Sequence, residues 1–287
     1  MDPLFLSSIL ALGGLGLFFG GGLAFAARKF AVKVDPKVAD IKEILPNANC
    51  GACGYPGCAA YAEAVAAGRV PPNKCTPGGA EVTEKISLIM GITGVETEEP
   101  KVAAVHCQGG KAEAVEKFKY EGIEDCSAAL LIGGGHKACE YGCLGLGSCA
   151  KACPFDAIEM NENGLPVILE DKCTACGVCV TTCPRNILSL IPRSQPVYLG
   201  CVSQDKAKAV KSICKVGCFA CKICASPKVA PEGSIEMDGN LPVIKDIYHE
   251  EVYAGAKKCP ANSYVIRIPQ AEAETAEQSQ AKEEKND

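Results

Sequence analysis

Twenty cysteines in a chain of 287 residues constrain the fold of this sequence more than any other feature. Most of them occur in C-x2-C runs that end in a Cys-Pro pair, a spacing typical of thiolates that bind metal in a reducing compartment. A disulfide scaffold of a small secreted protein would be rich in cysteine without this spacing. The sequence therefore predicts several metal–thiolate sites, and it predicts that the bulk of the chain faces the cytosol.

The most regular run reads CTACGVCVTTCP and covers residues 173–184. Its spacing is that of bacterial ferredoxins, in which the fourth cysteine of each run ligates the cluster of the other run. A looser run at residues 139–154 has three residues between its first two cysteines and five before the third. One 4Fe-4S cluster is therefore predicted at Cys153, Cys173, Cys176 and Cys179. The other is predicted at Cys139, Cys143, Cys149 and Cys183.

A hairpin sequence between these two runs recurs later in the chain. AIEMNENGLPVI at residues 157–168 contains the turn signal Asn163-Gly164, and SIEMDGNLPVI at residues 234–244 repeats it with one residue fewer. In the second copy, the positions of the four cysteines at 173, 176, 179 and 183 are occupied by His249, Val252, Gly255 and Cys259. Because the ligands of one cluster are missing together, the second unit is predicted to hold one 4Fe-4S cluster. Its ligands would be Cys218, Cys221, Cys224 and Cys259, and zinc on the same thiolates is the alternative.

A third type of cysteine element, NCGACGYPGCAAYAEAVAAGRVPPNKC, covers residues 49–75. Its glycines allow the backbone to fold around a compact inorganic core, and a helix is predicted over residues 59–67. Four thiolates fit either zinc or a 4Fe-4S cluster, and the spacing favours the cluster modestly. The predicted ligands are Cys50, Cys53, Cys58 and Cys75.

These four predicted clusters use sixteen cysteines and leave Cys107, Cys126, Cys201 and Cys214. Four is the number that a fifth cluster needs, so a fifth cluster between the two ferredoxin-like units is a possibility. Buried free thiols are the alternative, since cysteine packs as a small hydrophobe. His106 lies next to one of these cysteines and could replace a thiolate, but an ordinary hydrogen-bonding histidine is the preferred interpretation.

The N-terminal segment from Leu4 to Ala27 contains no charged residue and is predicted to be one transmembrane helix. Arg28, Lys29 and Lys33 follow it, so the positive-inside rule places the bulk of the chain in the cytoplasm. A cleaved signal peptide is the alternative, but the segment is long and no basic residue precedes it. Glycines at GxxxG spacing within the segment would allow a partner membrane subunit to approach closely.

Charge and ligation narrow the function to electron transfer. The net charge is −5, and the C-terminal tail at residues 271–287 alone carries six acids against two lysines, so no basic stripe indicates a nucleic acid partner. Each of the four predicted clusters has four cysteine ligands, which leaves no open iron position for substrate chemistry. No catalytic residue is therefore predicted, and the chain is expected to pass single electrons along its clusters.

The element NCGACGYPGC followed by Cys75, directly behind an apolar N-terminal segment, resembles the B subunit of the Rnf complex. The resemblance extends over residues 4–268. It implies a translocating ferredoxin:NAD+ oxidoreductase in the bacterial cytoplasmic membrane, with soluble ferredoxin as donor and with a flavin- and NAD-binding subunit among the partners. Export of sodium or protons would be coupled to the electron flow. A related element occurs in corrinoid iron–sulfur proteins, so a corrinoid methyl-transfer protein is one alternative, and a structural zinc–thiolate membrane scaffold is another.

Soluble ferredoxins are acidic, so a site that docks them is expected to be basic. The segment DKAKAVKSICK offers such a patch next to two cysteines. The predicted docking residues are Lys206, Lys208, Lys211 and Lys215. A solvated helix face is the alternative.

The predicted fold class is α+β, with a transmembrane helix, a small four-cysteine iron–sulfur element and tandem ferredoxin-like units. Residues 1–28 form the anchor and residues 29–100 the four-cysteine element with a linker. A two-cluster ferredoxin-like unit with an N-terminal extension is predicted over residues 101–200. A one-cluster unit is predicted over residues 201–268, and a disordered acidic tail over residues 269–287.

Overall fold

The N-terminal apolar segment forms a single long helix. A computed structural model describes residues 3–30, 35–95, 99–245 and 256–267, and it begins with helix α1, Pro3–Lys29. The large apolar side chains described on this helix, including Leu17 and Phe18, are exposed. Within the described ranges, no helix combines the length and the apolar character needed to cross a bilayer.

Three helices form the next unit. They are α2, Pro36–Ile44; α3, Cys58–Ala66; and α4, Gly79–Met90. Two 3-10 turns, Pro72–Lys74 and Thr76–Gly78, lie between α3 and α4. The side chains of Ile41, Tyr61 and Ile86 are buried together in its core, which also contains Cys75. The predicted helix at 59–67 is thus present and begins one residue earlier.

The first ferredoxin-like unit combines two small antiparallel sheets with short helices. Strand β1, Lys101–Val105, pairs with β4, Leu188–Pro192, and β2, Ile158–Met160, pairs with β3, Pro166–Ile168. The helices are α5, Cys126–Leu130; α6, Ser148–Lys151; and α7, Val178–Thr182. The predicted hairpin is confirmed, and Gly164 turns it in the left-handed conformation with φ 72°. The core between the sheets includes several cysteines among its aliphatic side chains.

The second unit repeats this arrangement. Strand β5, Val197–Leu199, pairs with β8, Tyr264–Ile266, and β6, Ile235–Asp238, pairs with β7, Leu241–Ile244. Helix α8, Ala207–Ile213, lies between β5 and β6 in the sequence. The predicted second hairpin is therefore confirmed. Strand β5 precedes the predicted boundary at residue 201 but pairs within the second unit, and His249, Val252 and Gly255 lie outside the described residues.

An ion pair joins the two units. Arg267 Nε donates to Glu170 Oε1 at 2.9 Å, and Arg267 Nη2 donates to Oε2 at 2.6 Å. The Arg267 side chain is only 12% exposed, so the pair lies largely inside the contact between the units. Such a bidentate ion pair fixes the orientation of the two side chains and contributes to the stability of the contact.

Candidate metal centres

All twenty cysteines are free thiols, and the structure arranges them in five groups of four. We number the groups by their order in space. Site 1 consists of Cys50, Cys53, Cys58 and Cys75, and site 2 of Cys153, Cys173, Cys176 and Cys179. Site 3 consists of Cys126, Cys143, Cys149 and Cys183. Site 4 consists of Cys107, Cys139, Cys201 and Cys214, and site 5 of Cys218, Cys221, Cys224 and Cys259. Among the described side chains, no three of His, Cys, Asp or Glu are placed to hold a single metal ion.

Site 1 is built by a tight loop and by one tyrosine. The Asn49 side chain accepts a hydrogen bond from the backbone N–H of Cys58 at 2.9 Å, which closes the loop onto the start of α3. The Tyr61 hydroxyl donates to Pro71 O at 3.1 Å and accepts from the N–H of Lys74 at 3.2 Å. This clamp holds the segment that returns Cys75 to the other three cysteines. Burial, together with those neighbouring thiols, raises the pKa of Cys75 to about 11.

Site 2 contains the four cysteines that sequence spacing grouped together. They line one cavity between α7 and the β2–β3 hairpin. Ala175 and Gly177 adopt left-handed backbone conformations, with φ 54° and 77°, and turn the run around this cavity. The N–H of Ala157 donates to Cys153 Sγ at 3.4 Å. Burial and adjacent thiols raise the pKa of Cys179 to about 12.

Site 3 differs from the grouping that the sequence suggested, because Cys126 takes the place expected for Cys139. Cys126 begins helix α5, and its N–H donates to Ser148 Oγ at 2.7 Å. Ser148 Oγ in turn donates to Asp125 Oδ2 at 2.9 Å. These bonds hold α5 against α6, the helix that carries Cys149. The irregular spacing after Cys139 was the sequence signal that this cysteine belonged elsewhere.

Site 4 gathers Cys139 with three cysteines that the ferredoxin pattern did not place. Cys107 lies two residues after β1, and Cys201 lies two residues after β5, which is the equivalent position of the repeat. Gly109 leaves room between the sulfurs, since a Cβ there would lie 3.2 Å from Cys214 Sγ and 3.9 Å from Cys107 Sγ. Burial raises the pKa of Cys201 to about 11. The repeated position after each strand was an available sequence signal for this site.

His106 lines the cavity of site 4, but both of its ring nitrogens already have partners. Nδ1 lies 2.7 Å from Leu199 O, and Nε2 lies 2.6 Å from Ser189 Oγ. Burial lowers the pKa of the ring. The hydrogen-bonding interpretation of this histidine is thus confirmed, and its contacts link the two ferredoxin-like units.

Site 5 is the most open of the groups, because Cys221 is the one exposed cysteine among the twenty, all of which lie in the described ranges. Ala220 and Lys222 on either side of it have φ 54° and 60°, so the loop turns its cysteines inward in the same way as site 2. Cys259, isolated in the sequence, lines the same cavity as the three cysteines of the run. The Tyr264 ring closes the inner wall and is buried.

The five sites follow one another in a row. Burial raises the pKa of Cys176 in site 2, and the thiol of Cys50 in site 1 raises it further. A cleft lined by Cys75 of site 1 and Cys173 of site 2 lies between these sites. The thiol of Cys149 in site 3 is among the neighbours that raise the pKa of Cys179 in site 2, after burial. Site 4 contacts a site on each side of it.

Two interactions make the contacts of site 4. The N–H of Cys143, in site 3, donates to Cys107 Sγ at 3.3 Å. The thiol of Cys218, in site 5, is among the neighbours that raise the pKa of Cys201 in site 4, after burial. Site 4 is therefore linked to the site on each side of it.

The predicted docking lysines lie on and around α8, close to sites 4 and 5. All four are exposed. Lys211 Nζ lies 4.1 Å above the ring of Phe219, and Lys215 Nζ donates to Ala112 O at 3.0 Å. The patch therefore borders the loop that carries Cys221.

Comparison with known proteins agrees with these centres. A family model described as a putative Fe-S cluster matches residues 45–77, and a 4Fe-4S dicluster domain matches residues 137–187. The B subunit of the ion-translocating oxidoreductase complex of Methanosarcina acetivorans is 39% identical over 267 residues, which cover 93% of this chain and the whole of that protein. The chain belongs to the family of B subunits of ion-translocating oxidoreductase complexes. It therefore carries iron–sulfur centres with a role in electron transfer.

Two further members of this family have more specific names. The B subunit of the Na+-translocating ferredoxin:NAD+ oxidoreductase complex of Acetobacterium woodii is 41% identical, over 88% of this chain and 74% of that protein. The B subunit of the proton-translocating ferredoxin:NAD+ oxidoreductase complex of Clostridium ljungdahlii is 47% identical, over 71% of this chain and 72% of that protein. The family thus includes members named for either coupling ion.

Proposed function

We propose that the chain conducts single electrons along five 4Fe-4S clusters, from reduced ferredoxin to other subunits of an ion-translocating ferredoxin:NAD+ oxidoreductase complex. One observation carries this proposal: the twenty cysteines lie in five groups of four, and an interaction links each group to the next in the row. Site 4 contains Cys139 and three cysteines that no ferredoxin run includes.

The residues of each group fit a 4Fe-4S cluster. Four cysteine sulfurs form a complete donor set, and backbone N–H groups point at the sulfurs of Cys107 and Cys153. Burial raises the pKa of thiols such as Cys143, to about 12, so each site favours protons or metal over free thiolate. Metal binding therefore releases protons, and the buried walls keep water from the bound sulfurs.

When bound, the clusters supply one-electron exchange at iron, and the protein controls position and environment. Complete cysteine ligation leaves no open iron position, so no substrate chemistry is assigned to the chain itself. The N–H of Cys143 stabilises negative charge on Cys107 Sγ in site 4 and connects this site to site 3. If clusters occupied all five sites, the row would connect site 5 to site 1 through three intermediate sites.

We further propose that electrons arrive at site 5 and leave near site 1. Cys221 is exposed, and the patch formed by Lys206, Lys208, Lys211 and Lys215 adjoins its loop, which suits an acidic ferredoxin. Site 1 follows closely behind α1 in the chain. A flavin- and NAD-binding subunit would receive the electrons further along the complex.

The anchor is part of the same proposal. Helix α1 exposes its described apolar side chains and ends in Arg28 and Lys29. An exposed apolar surface of this kind fits a lipid or membrane-subunit environment, and the basic end supports a cytoplasmic position of the cluster units. Membrane fractionation of the full chain and of a variant lacking residues 1–30 tests this, and equal partition of both into the soluble fraction would contradict it.

The count of metal atoms tests the main proposal. Anaerobically purified full chain should contain about 20 iron and 20 acid-labile sulfide atoms, as five 4Fe-4S clusters require, and no stoichiometric zinc. About 16 iron atoms would reject a cluster at site 4 and leave four conducting sites. Zinc in place of iron would reject electron transfer by these sites altogether.

A further inference from the structure

Lys137 is a buried lysine in the wall of site 4. Its residue is 3% exposed, and it lines the same cavity as Cys107, Cys139 and Cys214. The backbone around it is fixed, because the N–H of Ala138 donates to Val115 O at 2.8 Å and residue 137 forms an isolated bridge with Glu116. Backbone pairing with residues 115 and 116 thus holds the backbone at Lys137 in place.

The ammonium group of Lys137 is bound by a backbone carbonyl and not by a carboxylate. Nζ donates to Gly109 O at 2.9 Å, and no Asp or Glu of the described residues forms an ion pair with it. A buried lysine is rare unless a negative group compensates it, because a neutral carbonyl replaces only part of its hydration. The sulfurs of site 4 are groups in the same cavity that can be negative, and the lysine charge acts on both Cys107 and Cys214.

The other sites lack such a partner in the part of the chain that the structure describes. Lys137 is the only buried residue among the lysines and arginines of the described ranges. Arg185 donates to Cys139 O at 3.3 Å and also to Gly134 O, but it is half-buried and lies near Cys183 as well. Its charge is therefore shared between sites 3 and 4, whereas the charge of Lys137 is directed at site 4.

We propose that Lys137 is the counter-charge of site 4 and makes it the most readily reduced centre in the row. The inference rests on the proposed cluster at this site. One electron arrives from site 5 and later leaves to site 3, and no bond or proton changes place. Each reduction adds one negative charge, and a fixed positive charge attracts that charge more strongly across a low-dielectric wall than it would across water. Lys137 is a positioning residue for charge and does not itself carry the electron.

A redox titration followed by EPR spectroscopy tests the proposal on the anaerobically purified full chain. Lys137→Met should shift one cluster signal to a more negative potential, with at least a tenfold change in its reduction equilibrium, or about 59 mV for a one-electron couple. Lys137→Arg keeps the charge and should restore the wild-type potential. Lys117→Met is the matched control, because Lys117 Nζ also donates to a backbone carbonyl, Gly133 O at 3.0 Å, but is exposed.

Each outcome separates this inference from the proposed function. About 20 iron atoms with equal potentials in all four proteins would overturn the role of Lys137 and leave the five-cluster row intact. About 16 iron atoms in the wild-type chain would reject the cluster at site 4 itself. If Lys137→Met and Lys137→Gln lose about four iron atoms while Lys137→Arg keeps them, the counter-charge is required even for assembly, which supports the proposal. Loss of iron in Lys137→Arg as well would overturn it in favour of packing.

Discussion

The backbone N–H of Cys143 donates to Cys107 Sγ at 3.3 Å, so a ligand residue of site 3 contacts a ligand residue of site 4. The first of these residues lies in a ferredoxin run and the second follows strand β1. The contact therefore connects a regular ferredoxin centre to one that no sequence run describes. Its consequence is that the two centres share part of one hydrogen-bond network.

Iron counts in double variants will decide which site contains Cys139. The structure places Cys139 and Cys201 in site 4. We therefore expect the loss of about four iron atoms from Cys139→Ala, from Cys201→Ala and from their double variant alike. Combining Cys139→Ala with Cys126→Ala should remove about eight, because two sites are damaged. A loss of about eight iron atoms in the combination of Cys139→Ala with Cys201→Ala would instead return Cys139 to site 3.

Removing the Tyr61 hydroxyl should weaken site 1. Tyr61→Phe leaves Pro71 O and the Lys74 N–H without their partner, at a cost of about 1–3 kcal/mol in the local stability of the segment that holds Cys75. Iron should therefore be lost to a chelator faster from site 1 than from the ferredoxin-like units. Tyr55→Phe is the control, since the Tyr55 ring packs against Tyr61 but is not part of the clamp. Equal rates of iron loss in both variants would contradict the clamp.

Breaking the pair between Glu170 and Arg267 should loosen the contact between the two ferredoxin-like units. Arg267→Met leaves a partly buried carboxylate without its donor and should cost about 1–3 kcal/mol. Heating monitored by cluster absorbance, with limited proteolysis of the native protein, measures the effect. The exposed pair of Lys245 and Glu236, 3.6 Å apart, is the comparison, and Lys245→Met should change stability by less than about 0.5 kcal/mol. A variant of Arg267 that behaves like this control would show that the buried pair is dispensable.

Charge reversal in the lysine patch should slow reduction by ferredoxin. With Lys206, Lys208, Lys211 and Lys215 changed to glutamate, the rate should fall at low salt and should rise with ionic strength, because attraction to an acidic donor is replaced by repulsion that salt screens. Stopped-flow reduction of the cluster absorbance measures this. Lys37 and Lys85, changed in the same way, provide a control far from α8 in the chain. Rates that do not differ between the two variants would place the docking surface elsewhere.

Local sequence patterns were sufficient to group the cysteines of a site wherever these cysteines belong to a regular run or to a repeat of one. The grouping of sites 1, 2 and 5 required only the spacing of the runs and the repeat of the hairpin, even for the isolated Cys259. The structure differs from the sequence grouping at Cys139, which stands shortly before Cys143 and resembles the first ligand of a run. Its neighbours in the structure come from distant segments of the chain, so only tertiary contacts could identify them.

The role of Lys137 could not be predicted for the same reason. In the sequence it follows a glycine-rich stretch and resembles any solvated lysine. Its burial depends on the bridge with Glu116 and on the loop that contains Gly109, two features that arise only when the chain folds. By contrast, the interpretation of His106 as a hydrogen-bonding residue needed no structure, because a structural role is the common one for a histidine beside a strand.

Site 4 takes Cys107 and Cys139 from the first ferredoxin-like unit and Cys201 and Cys214 from the linker and helix of the second. During synthesis, the sulfurs of sites 1, 2 and 3 are complete once residue 183 has emerged from the ribosome, but site 4 must wait for residue 214. Site 5 is completed last, when residue 259 has emerged. Synthesis therefore completes the five ligand sets in the same order in which the sites stand in the row, from site 1 to site 5.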